Sequence, residues 1–384
     1  MVSLESLVQL DDRCNAIWDT NREGATVFGG LPIVILLGDF NQFTPVGGHA
    51  IWRQDVSYSQ VLQTGKSIWS RFDKVVILTE QMRQAEDLPF QAILERARSA
   101  TLTEEDVTVL NSQTVAAREA RGEHPPDRAV IRMNQLREDV NLTHLESFAK
   151  KTGQKIYLFP ARHDTPNTAT IDHTLLVRMM FRVGEAGKLK GPGLFAFTKG
   201  MPVMLLHNAM TSSGLVNGMT ATAERAILDI DLDDLYVLCT SPLLCLLVRP
   251  THKHNLSFPS IPSTLVPILP IEMTGEISEL SNLTFRRYQI PLTLGFAFTD
   301  YKCQGRTFNS LIIDLKFPPQ RGLSEHKKWT SINVQLGRLR SLSGVWLREP
   351  ITLADLQASP HKDLQIELSR LERIEQSTLR SWAA

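Results

Sequence analysis

The stretch LPIVILLGDFNQFTPVGG, residues 31–48, joins seven apolar residues to a polar segment rich in turn formers. A run this apolar and β-branched predicts a strand buried on both faces, as in the parallel sheets of α/β proteins. In open α/β sheets, ligands bind in the crevice outside the carboxyl ends of the strands. Asp39, Asn41 and Gln42 follow this end and are therefore candidate ligand-binding residues.

Composition limits the function classes. A chain of 384 residues is long enough for two domains, and its 41 basic and 41 acidic residues balance, so no overall charge points to nucleic acid or to a membrane. The four cysteines are widely spaced without a CxxC pair, which argues against disulfides and a zinc site and favours a reducing compartment. No apolar run approaches the roughly 18–20 residues that cross a membrane. We expect no metal-ligand cluster and no membrane partner.

Further apolar runs alternate with helical patterns. Runs at 74–79, 129–133, 202–206, 243–248 and 310–315 predict more buried strands. Residues 88–100 place apolar side chains at helical spacing, and Thr103 with the acidic residues after it predicts the start of the next helix. This alternation indicates α/β layers.

Changes in local amino-acid composition divide the chain. The charged segment 116–128 contains Pro-Pro and predicts a connector, and 210–290 combines short apolar strands with many Pro, Ser and Thr residues. In the tail, Leu364, Leu368 and Leu371 share one face of an expected helix. The predicted parts are a first lobe at 1–115, a linker at 116–128, a second lobe at 129–350 with a β-rich insertion at about 210–290, and a helical tail at 351–384.

Four motifs follow apolar strands in a set order. They are GDFNQFTPV (38–46), LTEQMRQAED (78–87), FAFTDYKCQGRTF (296–308) and INVQLGRLRSLSGVWL (332–347). Their order and spacing resemble motifs three to six of superfamily-one helicases of the Pif/RecD-like branch. The resemblance implies two RecA-like lobes of the P-loop NTPase type, the first N-terminally truncated, with a small SH3-like, β-rich insertion in the second.

The resemblance implies roles for individual residues. Charge on a transferring γ-phosphate must be met by fixed donors. Gln42 matches the residue that senses this phosphate, Arg83 the motif-four arginine, and Arg338 the arginine finger, which typically contributes about 10³–10⁵-fold in rate. These three are the predicted catalytic residues. The predicted nucleotide-binding residues are Gly38, Asp39, Gln42, Gly305 and Arg338.

Motif five implies contacts to single-stranded DNA. Thr299, Lys302, Gln304 and Thr307 can bind backbone phosphates, and Gly305 allows close approach of the main chain. The family has histidine where Tyr301 stands and serine where Gly337 precedes Arg338, so coupling between hydrolysis and DNA is expected to be weakened. Three aromatic residues could stack bases, although core packing is the more common role for such residues: Phe43, Trp52 and Phe298.

Two elements of the family pattern do not occur. The phosphate-binding loop G-x-x-x-x-G-K-[ST] is missing, and GKS at 65–67 is not one because Gln60 stands where its first glycine is needed. The Asp-Glu of motif two is also missing. The interpretation is a truncated gene model or a mobile-element-derived (Helitron) copy that begins after motif two. ATP and Mg²⁺ serve the intact family but are not expected to bind this chain tightly, and residues 1–115 alone should have poor stability.

Three functions remain as hypotheses. The first is a 5′-to-3′ DNA helicase of repair, recombination or telomere maintenance, here with little or no ATPase activity alone. The second is a non-catalytic single-stranded DNA-binding remnant or partner subunit. The third is a metal-dependent phosphodiesterase suggested by GDFN, which is disfavoured because Asp172 and His173 lack the preceding serine of that family. We expect a monomer located in the nucleus or mitochondrion.

Overall fold

The computed structural model describes residues 2–18, 27–132, 134–164, 191–226, 236–239, 243–277, 283–317 and 324–383. The chain divides into two compact units. Unit 1 comprises Met1–Pro125 and Cys303–Ala384, and unit 2 comprises Pro126–Lys302.

The described helices and strands are numbered in chain order. The helices are α1 Leu4–Trp18, α2 Gln60–Ser70, α3 Leu88–Ser99, α4 Glu104–Asn111, α5 Val115–Glu119, α6 Asn134–Thr152, α7 Asp300–Cys303, α8 Glu325–Leu336, α9 Leu353–Leu356 and α10 Lys362–Ala383. The strands are β1 Ala129–Val130, β2 Ile156–Pro160, β3 Arg162–Asp164, β4 Leu194–Phe197, β5 Pro202–Leu205, β6 Thr220–Ala226, β7 Tyr236–Leu238, β8 Leu246–Pro250, β9 Val266–Ile268, β10 Ile271–Ile277, β11 Leu283–Gln289, β12 Leu292–Leu294, β13 Ala297–Phe298, β14 Leu311–Ile313 and β15 Val345–Leu347.

The helices predicted after residue 87 are confirmed. The Asp87 side chain accepts a hydrogen bond from the Phe90 amide at 3.0 Å and begins α3, and Ala100 ends it in a left-handed conformation. Thr103 and Asp106 form a reciprocal capping box at the start of α4. These caps satisfy amide groups that the first turn of a helix leaves without partners.

The core of unit 1 lies among α1, α2 and α10. Leu4 and Leu7 of α1, Leu62 and Trp69 of α2, and Leu371 of α10 are buried in one cluster. Strands β14 and β15 pair in parallel in this unit, with Ile312 opposite Trp346. The tail is therefore part of the unit's core.

A buried carboxylate holds α10 in place. The Glu367 side chain is 2% exposed and accepts hydrogen bonds from Trp69 Nε1 at 2.7 Å and from Arg370 Nη2 at 2.7 Å. Lys66 Nζ lies 3.8 Å from the second carboxylate oxygen. These donors compensate for the desolvation that would otherwise make a buried carboxylate costly.

The strands predicted at 31–37 and 74–79 are wrong. Both segments are extended, but neither pairs with another strand among the described residues. In the first segment burial alternates: Val34 and Leu36 pack on the unit 1 core, whereas Ile35 and Leu37 are 73% and 93% exposed. In the second, only Val75 packs on this core, and residues 76–79 are exposed. The apolar pattern indicated that the side chains could be buried on both faces, but no strand or helix within the described residues covers the second face.

Unit 2 is dominated by antiparallel sheet. Its described strands form a five-stranded sheet in the order β12-β5-β6-β8-β9 and three-stranded sheets in the orders β10-β11-β3 and β4-β2-β7. Strands β1 and β13 pair in parallel, and the buried Asn141 of α6 holds β13 through two hydrogen bonds with the main chain of Ala297, at 2.7 and 3.1 Å. Strands predicted at 129–133, 202–206 and 310–315 are observed in shortened form as β1, β5 and β14, and the strand predicted at 243–248 is observed three residues later along the chain as β8.

Candidate functional site

A cavity of about 720 Å³ opens in unit 1 beyond the ends of the two extended segments. One wall is formed by Asp39, Asn41 and Gln42, and the next by residues 77–84. Helix α3 contributes Leu94, Glu95 and Arg98, and the remaining wall consists of Gly305 and the carboxyl end of α8 with the residues after it, including Arg338. The predicted crevice therefore exists, although the segments that lead to it do not form a sheet.

Asp39 organises the first wall. One carboxylate oxygen accepts hydrogen bonds from the amide and the side chain of Asn41, at 2.9 and 3.0 Å. The other accepts from Gln42 Nε2 at 3.4 Å and from Arg98 Nη2 at 3.1 Å. Asparagine and aspartate side chains commonly stabilise turns in this way, and here the turn aims Gln42 into the cavity.

Arg83 is fixed by two contacts within unit 1. Its Nη1 donates to the carbonyl of Gly337 at 2.5 Å, and its Nε donates to Thr307 Oγ1 at 2.9 Å. Burial lowers the pKa of this guanidinium from its usual value, and the positive charge of Arg340 lowers it further. The side chain remains charged at neutral pH, because arginine titrates far above it.

Arg338 is 6% exposed, and its Nε donates to the carbonyl of Val334 at 3.1 Å. Burial lowers the pKa of Arg338, the charge of Arg83 lowers it further, and Asp39 partly opposes this effect. Two guanidinium groups therefore repel each other beside the cavity, with one carboxylate as partial compensation. Such an arrangement favours binding of an anion.

The donor set fits phosphate groups. Fixed arginines and the Gln42 amide are donors to phosphate oxygens. Three carboxylates line the cavity: Asp39 is engaged by Arg98 and Asn41, and Glu80 and Glu95 lie on the neighbouring walls. Among the described residues, no group of three or more Asp, Glu, His or Cys side chains is placed to hold a metal.

The structure brings five of the predicted residues to one cavity: Asp39, Gln42, Arg83, Gly305 and Arg338. Gly38 lies at the end of the first extended segment but does not line the cavity. Of the predicted DNA-contacting residues, Thr299 and Lys302 belong to unit 2, whereas Gln304 and Thr307 belong to unit 1.

The sequence did not single out Arg98 or Gln84. Arg98 lies one turn after Leu94 on α3, so the helical period that placed Leu94 toward the interior also indicated the cavity face for Arg98. Gln84 is buried, and its Nε2 donates to the Leu339 carbonyl at 2.5 Å, which ties residues 82–84 to the loop after Arg338. Nothing in the local sequence pattern indicates this contact.

Other sequence features have structural roles. The GKS tripeptide lies inside α2, where Gly65 packs against the Leu4 carbonyl and Lys66 Nζ donates to the Ile51 carbonyl at 3.2 Å. The three candidate stacking residues are buried: Phe43, Trp52 and Phe298. Asp172 and His173 lie outside the described residues. No described helix combines the length and apolar composition that crossing a lipid bilayer requires.

The sequence matches no protein-family model, and no curated protein is similar to it in sequence. The fold, however, is similar to that of solved Pif1 helicases. A Bacteroides Pif1 bound to single-stranded DNA is 19% identical with a TM-score of 0.59, over 98% of this chain and 74% of that one. The Bacteroides Pif1 complex with ADP-AlF3 and single-stranded DNA is 18% identical with a TM-score of 0.57, over 98% and 74%.

A third solved structure, the Pif1 helicase from Candida albicans, is 19% identical with a TM-score of 0.56, over 96% of this chain and 74% of that one. At these identities the likeness concerns the fold. The predicted α/β fold of RecA-like type is thereby confirmed. This chain corresponds to about three quarters of the length of each of these solved chains.

Proposed function

We propose that the cavity of unit 1 binds the phosphates of a nucleoside triphosphate and that the chain is a member of the Pif/RecD-like superfamily-one DNA helicases. The observation that carries the proposal is the convergence of Gln42, Arg83 and Arg338 on one cavity from distant parts of the sequence. Their motifs imply a γ-phosphate sensor for Gln42, the motif-four arginine for Arg83 and the arginine finger for Arg338.

The three side chains have distinct tasks in this proposal. The Arg338 guanidinium, held through Nε by the Val334 carbonyl, directs its terminal nitrogens at a phosphate oxygen. Arg83, held by Gly337, adds a second positive charge whose repulsion from Arg338 is relieved when the anion binds. Gln42 donates its amide to the same phosphate group after leaving the weak 3.4 Å contact with Asp39. Fixed donors of this kind stabilise transferring phosphate without reorganisation.

Hydrolysis by this chain alone should be negligible. The sequence contains neither the phosphate-binding loop nor the Asp-Glu of motif two. ATP binding should be correspondingly weak, because the loop amides and lysine supply much of the phosphate affinity in P-loop proteins. The ATP-dependent 5′-to-3′ unwinding of DNA implied by the family resemblance, and its use in repair, recombination or telomere maintenance, would require those groups from outside this chain.

Equilibrium binding of a fluorescent ATP analogue tests the proposal. Arg338→Ala should weaken binding by about 10- to 100-fold, since a charge-assisted hydrogen bond contributes about 1.5–3 kcal/mol. Arg338→Lys should restore only part of the affinity, because it lacks the planar fork. Arg373→Ala, an exposed position on α10, is the matched control and should bind like the parent. Equal binding by the Arg338→Ala and parent proteins would contradict the phosphate assignment.

A second candidate is non-catalytic binding of single-stranded DNA. It is favoured by the intact motif-five residues 299–307, which do not depend on a phosphate-binding loop. Affinity for a labelled oligonucleotide should fall steeply with salt, because each phosphate contact releases counterions. Lys302→Ala should reduce that slope by about one contact. A salt-independent affinity for the oligonucleotide, or no binding at all, would remove this candidate. DNA-stimulated ATP hydrolysis that requires Arg338 would instead show that the chain is catalytic by itself.

A further inference from the structure

The main chain around Arg338 is held by a series of hydrogen bonds within unit 1. Three consecutive carbonyls each accept one bond, as follows: Arg83 Nη1 donates to the Gly337 carbonyl at 2.5 Å, the Phe308 amide to the Arg338 carbonyl at 2.9 Å, and Gln84 Nε2 to the Leu339 carbonyl at 2.5 Å. The peptide units on both sides of Arg338 are therefore fixed by groups from other parts of the chain.

Gln84 differs from Arg83 as a restraint on this loop. The residue is 4% exposed, its side chain carries no charge, and it reaches the residue directly after Arg338. Arg83 binds phosphate itself in the proposed site, and its positive charge acts on Arg338. A neutral donor holds the loop without adding to the repulsion between the two arginines. Because the contact is buried, where the local dielectric is low, it is also stronger than the same hydrogen bond in water.

Gln84 is itself anchored on the start of α3. Its carbonyl accepts hydrogen bonds from the Asp87 amide at 2.9 Å and from Gln91 Nε2 at 2.7 Å. The Asp87 carboxylate, which caps α3, also accepts from the Leu342 amide at 2.8 Å. The segment 82–87 is therefore fixed on a helix, and the loop 337–342 is fixed on that segment.

We propose that Gln84 is a positioning residue that places Arg338 for the terminal phosphate of a nucleoside triphosphate, an inference that rests on the proposed function. Arg83 and Gln84 are consecutive and reach the residues on either side of Arg338, so one short segment determines the spacing of the two guanidinium groups. The bond from Arg338 Nε to the Val334 carbonyl orients the side chain but leaves its main chain to these contacts. Such placement matters because functional groups must be held within about 0.5 Å, and a displacement of about 1 Å can cost about 100-fold in rate.

Equilibrium binding of fluorescent ATP and ADP analogues to the full chain tests this inference. Gln84→Met keeps an unbranched side chain of similar length but removes the donor to the Leu339 carbonyl. Affinity for the triphosphate should fall by about three- to tenfold, which is part of the loss expected for Arg338→Ala, because the arginine keeps its charge but loses its position. Affinity for the diphosphate should change little, because the arginine-finger motif implies a contact with the terminal phosphate. A general loosening of unit 1 would instead lower both affinities.

Two companion variants accompany Gln84→Met. Gln113→Met is the matched control, because Gln113 Nε2 donates to the adjacent Ser112 Oγ at 2.8 Å and the residue does not line the cavity, so both affinities should equal those of the parent. Gln91→Met removes a donor to the Gln84 carbonyl and leaves the contacts of residues 337–342 in place. It should lower the triphosphate affinity in the same direction by a smaller factor. This variant decides the test if circular dichroism shows that Gln84→Met does not fold.

A double-mutant cycle shows whether Gln84 acts through Arg338. If it does, Gln84→Met should cause little further loss of triphosphate affinity in the Arg338→Ala background. Equal triphosphate binding by the Arg338→Ala and parent proteins would overturn the proposed function itself. If Arg338→Ala does weaken binding, the positioning role alone is overturned by a Gln84→Met effect that is absent, that is equal in both backgrounds, or that lowers the ATP and ADP affinities alike. An unchanged preference for triphosphate in Gln91→Met overturns it where Gln84→Met does not fold.

Discussion

Replacing Asp39 with asparagine is expected to strengthen the binding of pyrophosphate to the cavity, although the change removes a charged residue from its wall. In the structure the Asp39 carboxylate holds Arg98 Nη2 at 3.1 Å and opposes the mutual repulsion of Arg338 and Arg83. The carboxylate therefore neutralises part of the arginine charge that would otherwise attract an incoming anion. Asparagine keeps an oxygen for the Asn41 amide and removes only the charge.

The magnitude follows from the exposure of the pair. The Arg98 and Asp39 side chains are 56% and 30% exposed, so their ion pair is worth about 0.2–1 kcal/mol. Removal of a like charge near the anion adds up to about 1 kcal/mol in a solvated cavity. A total of about 1 kcal/mol corresponds to binding about three- to tenfold tighter. The gain should shrink as added salt shortens the screening length.

Titration calorimetry with pyrophosphate at low ionic strength measures this effect. Asp55→Asn, an exposed carboxylate outside the cavity that accepts from Ser57 Oγ at 2.9 Å, is the matched control and should leave the affinity unchanged. Arg98→Ala should weaken binding, because the freed arginine is a donor to the anion. Weaker or unchanged binding in Asp39→Asn would refute the view that this carboxylate competes with the ligand.

Three further predictions concern stability and are measured by urea unfolding. Glu367→Ala should lower the free energy of unfolding by about 3–5 kcal/mol, because it leaves buried donors without a partner, whereas Glu372→Ala at an exposed position of α10 should change it little. Burial, with the nearby His361 as a second cause, lowers the pKa of His326 to about 4, so the stability contributed by the neutral ring is complete above about pH 6.5 and is lost as pH falls toward 4. After allowance for solvent screening the loss should be about 1–2 kcal/mol, and it should be absent in His326→Gln. Gly305→Ala should cost about 1 kcal/mol, because its φ is +78°, whereas Gly38→Ala, with ordinary φ and equally open surroundings, should be nearly neutral. Equal effects within either pair of variants would contradict the structural reason given for it.

The sequence predicted the features that nearby residues determine, such as the starts of helices. Helical spacing of apolar residues predicted α3, and Thr103 with the acidic residues after it predicted the start of α4, because such a side chain satisfies helix-end amides. The polar residues after the apolar runs also predicted a shared crevice, and Asp39 and Arg83 line one cavity. Whether these residues bind phosphate stays a prediction.

The features that the sequence did not predict depend on contacts between residues far apart in the chain, which a local pattern does not reveal. The run 31–37 has the composition of a buried strand, but pairing requires a neighbour, and composition reports only the tendency to be buried. Arg98 was missed because an arginine on a helix is usually solvated. Glu367 was missed because a carboxylate among charged residues gives no sign that it is 2% exposed until its distant donors are known.

Unit 1 is built from both ends of the polypeptide, and this has a consequence for its biosynthesis. The bond between Trp69 and Glu367 joins residues 298 positions apart, and the bond from the Gln54 amide to Asp363 spans 309 positions. At synthesis rates of about 5–20 residues per second, the first 125 residues leave the ribosome on the order of tens of seconds before α10 can join them. Unit 2 is contiguous and can be completed earlier. A ribosome-bound chain can therefore fold unit 2 before unit 1, and during that interval the apolar surfaces of α1 and α2 lack the packing that α10 provides.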